Sequence, residues 1–174
     1  TRSDPTNRRS GGQTVAVRRA FSAVTEASPD DLFDVVGDLT TYPHWLDVVS
    51  EAEPTDEDDE AWLVTLRARV GPFSRSKRLR MVRAVHARAP SAEVSTVRFE
   101  RRETDGRRHS DWVLGAEVGP AAQVGPAAGG DGPMISEVRL ELIYDGSMWS
   151  GMLDGVLGAA ADRATAKLQA YVKP

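Results

Sequence analysis

For about eighty residues beyond Val48, apolar and polar side chains alternate with a period of two. No other feature constrains the fold as strongly. Successive side chains of a strand point to opposite faces, so sustained alternation describes an antiparallel sheet with one buried and one solvated face. In "AWLVTLRARV" it sets Trp62, Val64, Leu66 and Ala68 on one side and Thr65, Arg67 and Arg69 on the other. "SKRLRMVRAVHAR", "AEVSTVRFERRE" and "RRHSDWVLGAEV" continue the pattern. "MISEVRLELIYD" resumes it, with Val138, Leu140, Leu142 and Tyr144 on a common face. A strand over Thr14 to Thr25 and another over Val48 to Pro54 bring the expected sheet to about seven strands. "GPF" bends the chain between two of them, and "TDG" (Thr104 to Gly106) predicts a tight hairpin, giving a meander.

Two segments break the alternation with helical spacing. "SPDDLFDVVGDL" opens with Ser28 as N-cap, Pro29 at the first helical position and Asp30 and Asp31 where carboxylates oppose the macrodipole. Leu32, Phe33, Val35, Val36 and Leu39 form its apolar face, and Pro43 predicts an interruption, leaving "TTYPHWL" at most a short second helix. At the other end, Trp149, Met152, Leu153, Val156, Leu157, Ala160, Ala164 and Leu168 mark one long helix. An α+β architecture follows. The terminal helix lies across the concave side of the curved sheet, and two short helices between strands 1 and 2 plug one end. Such a sheet leaves a void near that end, and Tyr42 and Trp45 are expected at its rim.

The formal net charge of -4 conceals a segregation. Phe21 to Leu66 holds thirteen acidic residues and no Lys or Arg, whereas Arg67 to Arg108 holds thirteen basic and four acidic. A basic block can mark a nucleic-acid or anionic-lipid footprint. Interleaved aromatics for stacking are nearly missing, however, so the favoured reading is a solvated outer sheet face paired with the acidic half. At 174 residues one domain is expected over 14–174, with 1–13 a flexible polar leader and 117–133 a low-complexity Gly/Pro/Ala loop. No apolar run approaches the roughly 20 residues of a membrane span. Without cysteines the chain has no disulfide and no thiolate metal site, which is compatible with the expected cytoplasmic setting.

The pattern "ASPDDLFDVVGDLTTYPHWLDVV", ending in Asp-Leu and then Tyr-Pro-x-Trp, and the terminal "LDGVLGAAADRATAKLQAYV" resemble the START-like helix-grip superfamily (SRPBCC), also called the polyketide cyclase/dehydrase and lipid transport group. The resemblance spans Thr14 to Val172 and implies a small hydrophobic ligand, such as a lipid, quinone or polyketide, in an internal cavity. Tyr42 and Trp45 then belong to its mouth. The residues expected to converge between sheet and helix are Trp62, Leu66, Met81, Phe99, Trp112, Leu140, Trp149 and Met152, with a pocket favoured over the alternative that the same stripes fill a solid core.

Catalytic signatures are missing. There is no Gly-x-Ser-x-Gly elbow, phosphate-cradling glycine loop or His-Glu-x-x-His, and His44, His86 and His109 stand apart, so neither a metal nor a cofactor is expected. A cyclase or dehydratase would need an acid or base in the pocket. Tyr144 and His86 are the candidates, with Arg83 and Asp111 behind them. Three functions therefore remain, in order: carrier or sensor, cyclase or dehydratase, and interaction protein docking through its basic face. A nucleic-acid or ribosome partner is the least supported. Monomer and homodimer both stay open.

Overall fold

A computed structural model describes residues 16–55, 58–90, 92–121, 135–146 and 150–173. The elements run β1 (Val17–Thr25), α1 (Pro29–Gly37), a 3-10 turn (Leu39–Thr41), α2 (Tyr42–Trp45), β2 (Val49–Thr55), β3 (Asp58–Val70), β4 (Phe73–Ala87), β5 (Ser95–Arg101), β6 (Asp111–Pro120), β7 (Ser136–Asp145) and α3 (Ser150–Tyr171). The expected α+β helix-grip fold is what forms. Seven antiparallel strands in the order β1-β7-β6-β5-β4-β3-β2 make a curved sheet against which α3 packs. From β2 to β7 the chain is a meander. Only β1 departs from it, pairing with β7 so that Phe21 faces Leu140 and Val17 faces Tyr144.

Local chemistry explains how α1 and α2 plug the end. The Ser28 hydroxyl accepts from the Asp31 N–H at 3.1 Å and donates to the Asp31 carboxylate at 2.7 Å, a reciprocal cap that fixes the first turn of α1. Asp38 ends that helix and caps the 3-10 turn by accepting from Thr40 N–H at 2.9 Å. Pro43 does not stop the chain from being helical; it occupies the first turn of α2, where its missing N–H costs nothing. Leu32, Phe33, Val36, Leu39, Tyr42 and Trp45 are all buried at this end.

Two expected boundaries shift. The hairpin expected at Asp105-Gly106 is a longer connection, because β5 ends at Arg101 and β6 begins only at Asp111. Asp105 accepts from the Arg107 N–H at 3.0 Å and from His109 at 2.8 Å, and Gly106 takes the left-handed backbone (φ +69°) that lets the loop close on itself. The low-complexity loop also starts later than expected. Glu117 to Pro120 remain in β6, held by β7 from Arg139 to Ser136, and 122–134 lie outside the described residues.

α3 is fastened along one edge of the sheet. Leu157, Ala160, Ala164 and Leu168 are buried on one helical stripe. Arg163 reaches Asp47 at 2.7 Å and Lys167 pairs with the same carboxylate, while Gln169 donates to Val24 O at 2.7 Å. His44 of α2 stacks on Tyr171 with ring centroids 5.3 Å apart.

Candidate functional site

The inner face of the sheet borders a narrow apolar cleft, of which one lobe is lined by described residues of α3. Three lobes share Val48. The first is bounded by Leu66, Ala68, Lys77, Trp112 and Tyr144, and the second by Leu39, Val64, Leu66, Leu79, Met81 and Trp112. The third runs beneath α3, between Phe21, Leu140 and Leu142 on the sheet and Leu157 and Ala160 on the helix. Their volumes are about 30, 30 and 20 Å³ respectively, each of the order of the ~30 Å³ that one water takes up in the liquid. A wider groove of about 480 Å³ lies elsewhere, between the end of β1 and the last turn of α3, lined by Val24, Thr25, Ile135 and Gln169. It has no aromatic wall among its described lining residues and stands open to solvent, so the cleft, though smaller, is the better seat for an apolar ligand.

Donors gather at the first lobe. Lys77 pairs across from Leu66 and shares its alternate set with the buried Leu79 and Met81, so strand geometry turns it inward. Its ammonium lies 3.5 Å from the Ser110 hydroxyl, and its pKa is lowered by partial burial and then by the charge of Arg101. Arg101 itself is satisfied. With a side chain only 5 % exposed it binds Glu103 at 2.6 Å, Ser110 O at 3.2 Å and His109 Nδ1 at 3.2 Å. Because arginine only donates, Nδ1 must accept, which leaves Nε2–H of His109 to donate to Asp105.

Trp112 and Tyr144 form the apolar wall, tilted against each other with centroids 4.6 Å apart. The Trp112 side chain is buried and its indole Nε1 has no hydrogen-bond partner among the described residues. The Tyr144 hydroxyl sits beside Gly146 and near Ser110. A Cβ at position 146 would fall 2.2 Å from that oxygen, so glycine is what leaves it room.

The structure divides the residues that the sequence grouped together. Leu66 and Trp112 line the first two lobes, Met81 the second, Leu140 the third, and Tyr144 the first. Tyr42, Trp45, Trp62 and Phe99 form a separate aromatic cluster, with Tyr42–Trp45 at 4.3 Å, Tyr42–Phe99 at 6.3 Å and Trp62–Phe99 at 5.5 Å. Tyr42 and Trp45 are fully buried, not at an opening, and both polar tips are occupied: Tyr42 donates to Val36 O at 2.8 Å and Trp45 to Thr41 Oγ1 at 3.3 Å. Burial, and secondarily the charge of Asp38, pushes the Tyr42 phenol far above its ordinary pKa. Trp149 lies outside the described residues, as does the side chain of Met152.

His86 is remote from the cleft. It is exposed on β4 and stacks on Phe33 of α1 at 5.1 Å, with its pKa lowered by desolvation and by Arg83 and Arg88. Arg83 binds Glu60 at 3.1 Å and Gly37 O at 3.3 Å, and Asp111 is exposed. Among the described residues no cluster of His, Asp and Glu could hold a metal. Sequence reasoning passed over Val48, Leu114, Leu142 and, above all, Lys77, which it assigned to the outer basic face. The signal was present, since Lys77 is two residues before Leu79 in an alternating run.

Part of the basic block is answered on the surface, by the acidic half and by a carboxylate of its own. Arg78 meets Glu53 and Arg83 meets Glu60, each at 3.1 Å, while Arg88 pairs with Asp30 and Asp34. Arg98 and Arg102 share Glu100. No helix among the described residues is long and apolar enough to cross a membrane.

Solved structures with this architecture cover most of the chain at low identity. A START superfamily protein from Mycobacterium smegmatis aligns over 89% of this chain and 96% of its own, with 12% identity and a TM-score of 0.60. The Zhui aromatase/cyclase from Streptomyces sp. R1128 aligns over 91% and 94%, with 12% identity and a TM-score of 0.56. The lipid transfer and protein localization domain of human StarD13 aligns over 90% and 77%, with 15% identity and a TM-score of 0.56. No curated protein matches the sequence. At these identities the likeness establishes the fold alone. Sequence kinship comes from a family model that matches residues 25–173, from the last residue of β1 to beyond α3, and by it the chain belongs to the family described as polyketide cyclase / dehydrase and lipid transport.

Proposed function

We propose that this protein binds a small hydrophobic molecule in the cleft at the inner face of the sheet, as a carrier or sensor. The observation that carries this reading is the first lobe, where Val48, Leu66, Ala68, Trp112 and Tyr144 make an apolar surface at the edge of a packed core. Val48 is a wall it shares with the other lobes, one of which lies beneath α3, and an apolar tail would extend toward them. Family membership supports the same reading, since lipid transport is one of the activities in the family's description. The test is native mass spectrometry of gently purified protein with solvent extraction of the same sample. A copurified apolar compound, lost on Leu66→Trp, is the expected result; protein that is ligand-free and takes up no lipid-like compound overturns the reading.

A cyclase or dehydratase using the same cleft is the second reading. It is favoured by the Tyr144 side chain and the Lys77 ammonium bordering one lobe, where a proton donor and a cation could act on an enolic substrate. Turnover of a poly-β-ketone that collapses on Tyr144→Phe, with folding retained, supports it; unchanged turnover rules out Tyr144 as the acid.

A further inference from the structure

Resting on the hydrophobic-ligand reading, we propose that the ligand is an acyl-chain monocarboxylate whose carboxylate is held by Lys77 and Trp112 and whose tail runs through the lobes at Val48. Three observations converge. Lys77 turns inward beside Leu66 and Leu79, and among the described residues its one hydrogen bond is the long contact to Ser110, with no carboxylate at ion-pair distance. An ammonium has three donors, so most of its capacity is unused in this contact set. Trp112 lines the same lobe with its indole N–H buried and unpartnered, a state that folded proteins seldom tolerate without a reason. Two donors at one apolar lobe, with only the long Ser110 contact between them, have an anion with acceptor oxygens as their complement.

The charge balance sets the valence. Arg101, whose charge acts on Lys77, is already engaged by Glu103, the Ser110 carbonyl and His109. Of the three cations that line the lobe, Arg67 alternates to the outer face and Arg75 is not without a partner, so Lys77 is the one left without a counter-charge among the described residues, which matches a monoanion better than a phosphate. The shape sets the body. Lobes of about 20 to 30 Å³ that have Val48 as a common wall ask less rearrangement to seat a chain one methylene thick than to seat a fused ring plate.

The experiment compares decanoate, 1-decanol and decyl phosphate by calorimetric titration of the delipidated full chain below their aggregation concentrations. Decanoate is expected to bind about tenfold or more tightly than decanol, as a charge-assisted hydrogen bond would give. Lys77→Gln should abolish that preference by weakening decanoate far more than decanol, and Lys77→Arg should retain most of it. In heteronuclear spectra the Trp112 indole N–H, assigned by its disappearance in Trp112→Phe, should shift with decanoate; Lys77→Gln keeps the test decisive if Trp112→Phe does not fold. Equal affinity for acid and alcohol overturns the carboxylate assignment and leaves hydrophobic binding standing. Tighter binding of decyl phosphate overturns the monoanion. Failure of all three to bind overturns both this inference and the reading on which it rests.

Discussion

Tyr42 and Lys77 exchange the roles that their chemistry suggests. A tyrosine next to a proline in a helical corner looks like a rim residue, yet its hydroxyl is used up on Val36 O and its ring on Trp45 and Phe99. Tyr42→Phe should therefore lower stability by about 1 to 2 kcal/mol, measured by denaturant unfolding, because a buried carbonyl loses its donor. Ligand affinity should not change. Lys77 looks like surface charge but turns inward. Its lowered pKa means that the unfolded chain binds more protons between that value and the ordinary ~10.4, so stability contributed at this site rises with pH across that window. Lys77→Met should accordingly raise the melting temperature at neutral pH by about 2 °C, and the advantage should shrink as pH approaches 10. Alternation alone made Leu66, Met81 and Trp112 legible as inward residues. It could not separate those that border a void from those, like Trp62 and Phe99, that touch other rings, because that depends on neighbours brought from distant strands.

At the scale of elements, each helix has a local reason to begin and a tertiary reason to stay. The Ser28 cap and the acidic first turn of α1 were readable directly, since they depend on residues three apart. The clamp on α3 was not, because Asp47 and Lys167 are 120 positions apart. The hydrogen bonds from Lys167 and then Arg163 hold the Asp47 carboxyl below its usual pKa. Its contribution is present above the unfolded value of ~3.9 and is lost as pH falls through the lowered folded one. Asp47→Asn should cost less than about 1 kcal/mol at pH 7, as expected of a partly exposed ion pair, and less again at about pH 3, as protonation begins to remove the pair. Thermal melts at the two pH values test it. The connection between β5 and β6 was misjudged for a related reason. Asp-Gly favours a tight turn, but His109 and Arg107 bind Asp105 and Arg101 binds Ser110, which keeps 102–110 out of the ladder.

Over the whole molecule, the pairing of β1 with β7 in the open sheet is the decisive event. Pairing β1 with β7 brings the first and last strands together and gives α3 a continuous inner surface to cover. Any ligand held beneath α3 binds only this assembled state, so saturation must stabilise the fold. Decanoate at a hundred times its dissociation constant should add about 2.7 kcal/mol and raise the melting temperature by roughly 5 to 10 °C, readable by calorimetry. The sequence by itself determined the strand and helix inventory, the capping of α1 and the inward set of each strand, because periodicity and capping are set by neighbours within a few residues. The tertiary structure alone decided that the Tyr42–Trp45 corner is solid and that the void lies by Val48, Leu66 and Trp112. Those properties arise where curvature brings side chains from distant strands together, and no local pattern records the distance between them.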